Sequence, residues 1–295
     1  MTTNSIGRLS APVAALLLAS CGGGGGGGAA PPISTSTPKY GDTMFVTVTG
    51  TNLDAGLVVA ASGCAPMTRS TTAPNVSDAS TAYYSCTVSA LGTQSISATR
   101  AGESAPMASS TYTVPAPKVR LTVTNGAAVA GTMEFTLAPD KAPITVDNFL
   151  RYVRDGFYDN TVFHRVVVNP VPFVIQGGGF RTGPARGLLA PIALEVNKGL
   201  SNVQWSVAMA RSSDPNSATS QFFVNLADNT AILDPSATSA GYAVFGNVTA
   251  GTDLVTAIAS APCAPMTLQS GAVVTAAPEC TPNPLMAVTS AVQTQ

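Results

Sequence analysis

Charge is scarce in this chain: Asp, Glu, Lys and Arg make up only 10% of its 295 residues, and the formal net charge is −1. No cluster of Lys and Arg supplies a basic field to draw phosphates, which excludes nucleic acid as an expected partner. There is no acidic tail either. A single histidine, His164, is present, and the His, Cys and carboxylate partners that a zinc site needs are missing around it; neither a metal nor another cofactor is expected. The apolar run from Ala11 to Ala19 is too short to span a bilayer. What the chain has in abundance is Thr, Ser, Ala, Gly and Val, a composition suited to short strands and turns rather than long charged helices.

The N-terminus points to a compartment. Arg8 precedes Ala11 to Ala19, an apolar core of signal-peptide length, and Leu18-Ala19-Ser20-Cys21 resembles the lipobox of bacterial lipoproteins, in which cleavage exposes a cysteine for lipidation. The alternative is an ordinary secretory signal. Of five cysteines, Cys64, Cys86, Cys263 and Cys280 can form two pairs, which leaves Cys21 over. Lipidation gives the odd cysteine a use. The expected organisation is a signal peptide over 1–20 and a Gly/Pro/Ser-rich disordered tether over 21–39. An immunoglobulin-like β-sandwich over 40–114, a Pro-Ala-Pro linker over 115–117 and a second domain over 118–295 follow. The opening of the sandwich, Gly41 to Leu57, loosely resembles immunoglobulin-like surface domains. Disulfides Cys64–Cys86 and Cys263–Cys280 are expected in an oxidising compartment; a redox pair at Cys263 and Cys280 is the alternative, which their wide spacing disfavours.

In the second domain, alternation over Val119–Val123 and Thr132–Leu137 predicts a hairpin, and Val146, Phe149, Leu150 and Val153 fall at helical spacing before Gly156. A second helix is predicted over Thr252–Ala259, with Gly251 or Thr252 as its cap. The stretch Thr161–Phe180 sets Arg165 and Gln176 among hydrophobics. Strand alternation predicts Phe163 and Arg165 on one face, with His164 and Val166 on the other, and Phe173 and Ile175 opposed to Val174 and Gln176. An apolar floor with one guanidinium and one amide suits a neutral ligand whose carbonyl or nitrogen must be held. His164 reads as a packed residue.

Val146-Asp147-Asn148-Phe149, Gly156-Phe157-Tyr158, Phe163-His164-Arg165-Val166, Phe173 to Phe180, Val207 to Arg211, Ser220 to Asn225, Leu233-Asp234 and Gly241 to Gly246 follow one another along the chain. In identity and order they resemble the cyclophilin peptidyl-prolyl isomerases, with the bacterial extracytoplasmic branch nearest. The resemblance implies a mainly β fold, an eight-stranded antiparallel barrel capped by two helices, and cis/trans isomerisation of X-Pro bonds in flexible or unfolded polypeptides. It assigns Arg165 as donor to the prolyl imide nitrogen and Phe173, Val174, Phe223 and Leu233 to the proline floor. Gln176 and Gln221 would hold the peptide backbone, Ala210 and Arg211 would line the groove for the preceding residue, and Tyr242 would sit at the rim. The chain departs from the family at a longer Val166–Pro172 loop, at Ile232 in place of an aromatic, and at Tyr242 in place of a common histidine. A periplasm-facing or surface-exposed monomer anchored through Cys21 is expected, with the sandwich as a spacer. A non-catalytic proline-binding chaperone module and a surface adhesin are the alternatives.

Overall fold

The computed structural model describes residues 32–54, 56–126, 128–264, 266–267, 273–274 and 279–295. The expected signal peptide and Cys21 lie outside them. Contacts divide the chain between Val114 and Pro115.

Before that boundary, strands alternate small polar and apolar residues, and the apolar set turns inward. Thr43–Thr49 buries Met44, Val46 and Val48, and Thr81–Thr87 buries Ala82, Tyr84 and Cys86. These two strands pair with Ile33–Thr35 and Thr68–Arg69 in a four-stranded sheet; Leu57–Ala61, Gly92–Arg100 and Ala108–Val114 make a three-stranded one. The Tyr84 hydroxyl ties the two sheets by donating to the Leu57 carbonyl at 3.0 Å. The Cys64–Cys86 disulfide staples the same layer. Disorder through residue 39 is corrected at three positions: Ile33 pairs with Val48 and Thr35 with Val46, so Ile33–Thr35, within the expected tether, is an edge strand. The open edge of Thr43–Thr49 offered it backbone partners, a long-range cause that composition does not carry.

Beyond Pro115, strands Lys118–Thr124, Ala130–Leu137, Val244–Ala250, Ser206–Met209, Phe222–Asn225, Val174–Gly177 and Arg165–Val167 pair in that spatial order, all antiparallel. Arg165–Val167 continues from Thr161–Val162, which pairs with Ala287–Gln293, and that strand returns to Lys118–Thr124. Counting the interrupted segment once, eight strands close a ring. Closure removes the edges of the sheet except beside Arg165–Val167, where Glu279–Pro282 pairs instead. Short strands Phe180–Arg181, Glu279–Pro282 and Cys263–Ala264 attach outside it. Within the ring lie Phe135, Phe149, Tyr158, Phe163, Phe222 and Phe245, all fully buried and ring to ring at 5.0–6.3 Å.

Helix Pro143–Arg154 buries Val146, Phe149, Leu150 and Val153. Its own N-cap, Ala142, has no side-chain acceptor, and the Glu195 carboxylate substitutes, accepting from the Ile144 and Thr145 amides at 3.2 and 2.8 Å. Helix Thr252–Ala259 starts at Gly251, whose φ of +80° and contact with the Thr132 carbonyl leave no room for a Cβ. A third, one-turn helix, Thr230–Leu233, was not anticipated; it is too short for a periodic signal.

The alternation expected across Thr161–Phe180 fails at two points. His164 donates its amide to the Gln176 carbonyl at 3.0 Å, while Arg165 is the ladder partner of Gln176. Two residues therefore oppose one, a β-bulge that shifts the phase of the strand. Phe163 and Val166 both turn into the barrel, and Arg165 turns out. Phe173 also departs from the expected face: it precedes Val174–Gly177 rather than belonging to it, and it packs with Val174 on the outer side.

Candidate active site

Register defines the site. Arg165, Gln176, Phe223 and Ala208 are successive ladder partners on four adjacent strands, so their side chains share one face of the sheet. Val166, Ile175, Val224 and Val207 are partners on the opposite face, fully buried in the barrel. The site is thus on the barrel wall, facing outward.

An apolar cluster floors it. Val167, Val174, Ala208, Phe223, Leu233 and Val244 are buried together, with Phe173, Leu200, Ala210 and Tyr242 packed against them. Every expected floor residue, Phe173, Val174, Phe223 and Leu233, is in this cluster. Beside it runs a polar relay: Arg165 Nη1 donates to Gln176 Oε1 at 3.0 Å, and Gln176 Nε2 donates to Gln221 Oε1 at 2.8 Å. At the other rim, Arg211 lies over the Tyr242 ring, 4.6 Å from its centroid, and donates through Nε to the Gly241 carbonyl at 3.0 Å. Tyr242 meets Phe223 edge to face at 5.6 Å. Ala210 donates its amide to the Gln221 carbonyl at 2.9 Å, which sets the two flanks of the groove against each other.

The long loop between Arg165 and Phe173 leaves this geometry intact. Phe173 donates its amide to the Val167 carbonyl at 2.9 Å, closing the loop at its base, and Val171 at its tip is 63% exposed. The loop residues 169–172 are all exposed. Ile232 is likewise exposed and stays out of the floor.

Sequence reading missed two sets of residues. The first is a buried amide network behind the floor. Asn229 Nδ2 donates to the Phe173 carbonyl at 2.9 Å and to Asn225 Oδ1 at 2.7 Å, and Asn225 Nδ2 donates to Ser206 Oγ at 2.8 Å. Asn202 Nδ2 donates to the Leu233 carbonyl at 3.2 Å and to Asp234 Oδ1 at 2.8 Å. These bonds fix the backbone at Phe173 and Leu233, the two floor residues that no barrel strand carries. Asn225 and Asp234 already stood within the segments that resemble the cyclophilins, but nothing in a one-dimensional pattern joins them. The second is Glu279, whose Oε1 lies 2.6 Å from Arg165 Nη2. That hydrogen bond holds the Glu279 carboxyl below its ordinary value, against the opposing effect of burial.

His164 is almost wholly buried, edge to face with Phe180 at 4.7 Å, and its Nδ1 has no hydrogen-bond partner. Burial lowers its pKa from 6.5 to about 4, outweighing contacts with Val162 and Gln221 that favour the charged form. The ring is therefore neutral at physiological pH and unsuited to acid/base exchange there. The stability consequence has a definite sign. As pH falls through 6.5 the unfolded chain binds a proton that the folded chain refuses until about 4, so stability present above 6.5 is lost across that window. Urea midpoints between pH 7 and 4.5 are expected to fall more steeply for the natural chain than for His164→Phe; equal slopes would contradict this origin.

Among the described residues no group of three or more His, Cys, Asp or Glu side chains could hold a metal. What the arrangement offers is an apolar floor, an oriented cation and two amides, suited to redistributing charge within a bound amide without covalent chemistry.

Comparison with known proteins gives one consistent result. The family model for "Cyclophilin type peptidyl-prolyl cis-trans isomerase/CLD" matches residues 119–276. A peptidyl-prolyl cis-trans isomerase of Acinetobacter baylyi is 51% identical over 133 residues, covering 45% of this chain and 69% of the relative. Peptidyl-prolyl cis-trans isomerase cyp18 of Streptomyces antibioticus is 51% identical over 132 residues, 44% of this chain and 78% of the relative. Peptidyl-prolyl cis-trans isomerase B of Escherichia coli is 50% identical over 120 residues, 39% and 71% respectively.

Proposed function

Because this chain belongs to the cyclophilin-type peptidyl-prolyl cis-trans isomerases, we propose that the outward groove beside Arg165 turns X-Pro bonds of flexible polypeptides outside the cytoplasm. Rotation about an amide bond faces a barrier of about 20 kcal/mol set by resonance, and it needs neither a nucleophile nor a metal. The proline ring enters the apolar cluster of Phe173, Val174, Phe223 and Leu233. Gln176 and Gln221 hold the flanking peptide backbone, with Ala210, Arg211 and Tyr242 along the side that receives the preceding residue. As the bond twists, the lone pair localises on the imide nitrogen, and the Arg165 guanidinium donates to it. An arginine suits this role because it stays charged and its planar fork can be held at one nitrogen while another donates. The observation that carries the reading is the relay Arg165–Gln176–Gln221 in register with Phe223 on one face of the barrel wall.

Location rests on the disulfides. Cys64–Cys86 and Cys263–Cys280 are both closed, as expected of a chain in an oxidising compartment. Among the described residues no helix is long and apolar enough to cross a membrane. We read Cys21 as a lipidated anchor that tethers the first unit, a spacer, and with it the isomerase. The test is fractionation of the full chain expressed in a Gram-negative host, with isomerisation of a proline peptide as the readout. Activity is expected in the membrane fraction for the natural chain and in the soluble periplasmic fraction for Cys21→Ser, at equal activity per molecule. Identical partitioning of the two, or no activity in either fraction, would overturn the reading.

A further inference from the structure

The strand Glu279–Pro282 has no part in closing the barrel. It occupies the edge left free where the bulge at His164 carries Arg165–Val167 away from Ala287–Gln293, pairing Cys280 with Val166 and Glu279 with Val167. Three kinds of bond fix it there. Cys280, buried, is joined to Cys263; Cys263–Ala264 pairs with the far side of the strand; and the Thr281 hydroxyl donates to the His164 carbonyl at 2.7 Å, on the bulge itself. A strand so constrained delivers its first side chain to a fixed point. That side chain is Glu279, 2.6 Å from Arg165 Nη2, while Arg165 Nη1 is taken by Gln176 on the opposite flanking strand.

From this geometry we infer that Glu279 is a positioning residue of the isomerase site, which fixes the plane of the Arg165 guanidinium from the side opposite Gln176. The inference rests on the reading of Arg165 given above. With one anchor, a guanidinium pivots about that hydrogen bond and its remaining N–H groups sweep an arc. Two anchors on the two terminal nitrogens leave one plane, and the donor aimed at the imide is oriented before the substrate arrives. The carboxylate also offsets part of the positive charge. Arg165 is 29% and Glu279 44% exposed at the side chain, so water screens that offset, and orientation is the larger effect.

Glu279→Ala is expected to lower kcat about three- to fivefold, the range set by the loss of one partly exposed ion-pair contact, with KM and the melting temperature nearly unchanged. Glu279→Gln, which keeps an acceptor, should recover part of the loss. Two readouts separate positioning from mere support of the strand. In an Arg165→Ala background, Glu279→Ala should cause no further loss. In the natural chain, the two Arg165 Nη groups should give separate nitrogen-15 resonances that average together in Glu279→Ala, as rotation about Nε–Cζ becomes fast. Unchanged or increased kcat in Glu279→Ala, an equal loss in both backgrounds, or Nη resonances that do not respond would each overturn the inference. If Arg165→Ala is itself fully active, the reading of Arg165 fails first; if it is inactive and Glu279→Ala is silent, only this inference fails.

Discussion

Replacing Arg165 by alanine is expected to reduce kcat/KM for a proline peptide by about 10²–10³, the cost of removing one preorganised donor aimed at developing charge. The floor of Phe173, Val174, Phe223 and Leu233 is untouched by this change, so the peptide still has its apolar seat. What is lost is the group that becomes more strongly bonded as the amide twists. Gln176 loses its donor as well, and the relay to Gln221 loses one end. Stability should hardly move, because the side chain is partly exposed and its ion pair with Glu279 lies at the surface, where such pairs are worth about 0–1 kcal/mol. Arg165→Lys keeps the charge, yet a single ammonium cannot present a planar fork to Gln176 and Glu279 together, and it should recover only a small part of the rate. A protease-free exchange assay checks both variants; activity of Arg165→Ala within threefold of the natural chain would remove the arginine from the mechanism.

The largest effect on stability is expected one residue away from the floor, at Phe222. Its ring is fully buried and meets Phe135, Phe149, Tyr158 and Phe163 edge to face at 5.6–6.0 Å. Phe222→Ala removes the hub of this cluster, and no neighbouring side chain can fill the space without leaving its own contacts. A loss of about 3–5 kcal/mol is expected, which for a unit of this size lowers the melting temperature by about 10 °C. Urea unfolding followed by fluorescence of the single Trp205, which lies in the barrel unit, measures it. A change below about 1 kcal/mol would mean the ring cluster packs loosely, contrary to its geometry.

Much of this architecture was legible because its signals are local and ordered. Thr252–Ala259 forms over the predicted residues, and Pro143–Arg154 covers the predicted apolar face. The segments that resemble the cyclophilins brought Arg165, Gln176, Gln221 and the floor residues into one groove, even though Leu233 and Phe223 come from a helical turn and a strand. What could not be read depends on partners distant in sequence. The bulge at His164 and Arg165 exists only relative to Gln176 on another strand, and simple alternation therefore assigned Phe163 to the wrong face. Ile33–Thr35 becomes a strand because an edge was open beside it. Glu279 reaches Arg165 across 114 positions of sequence, from a stretch whose Pro/Ala-rich composition gave no strand signal. Asn202, Asn225 and Asn229 are ordinary polar residues until burial obliges them to satisfy one another and, through them, the Phe173 and Leu233 carbonyls.

Differential action on the transition state is the central claim, and nuclear magnetic resonance line shapes of one proline peptide, bound to the natural chain and to Arg165→Ala, test it most directly by separating affinity from the on-enzyme cis/trans exchange rate. Dissociation constants within about threefold of each other, with on-enzyme exchange slower by about 10²-fold or more in the variant, are the expected result. A variant that binds the peptide far more weakly yet exchanges it at the natural rate once bound would contradict the claim and make Arg165 a substrate anchor rather than the group that turns the bond.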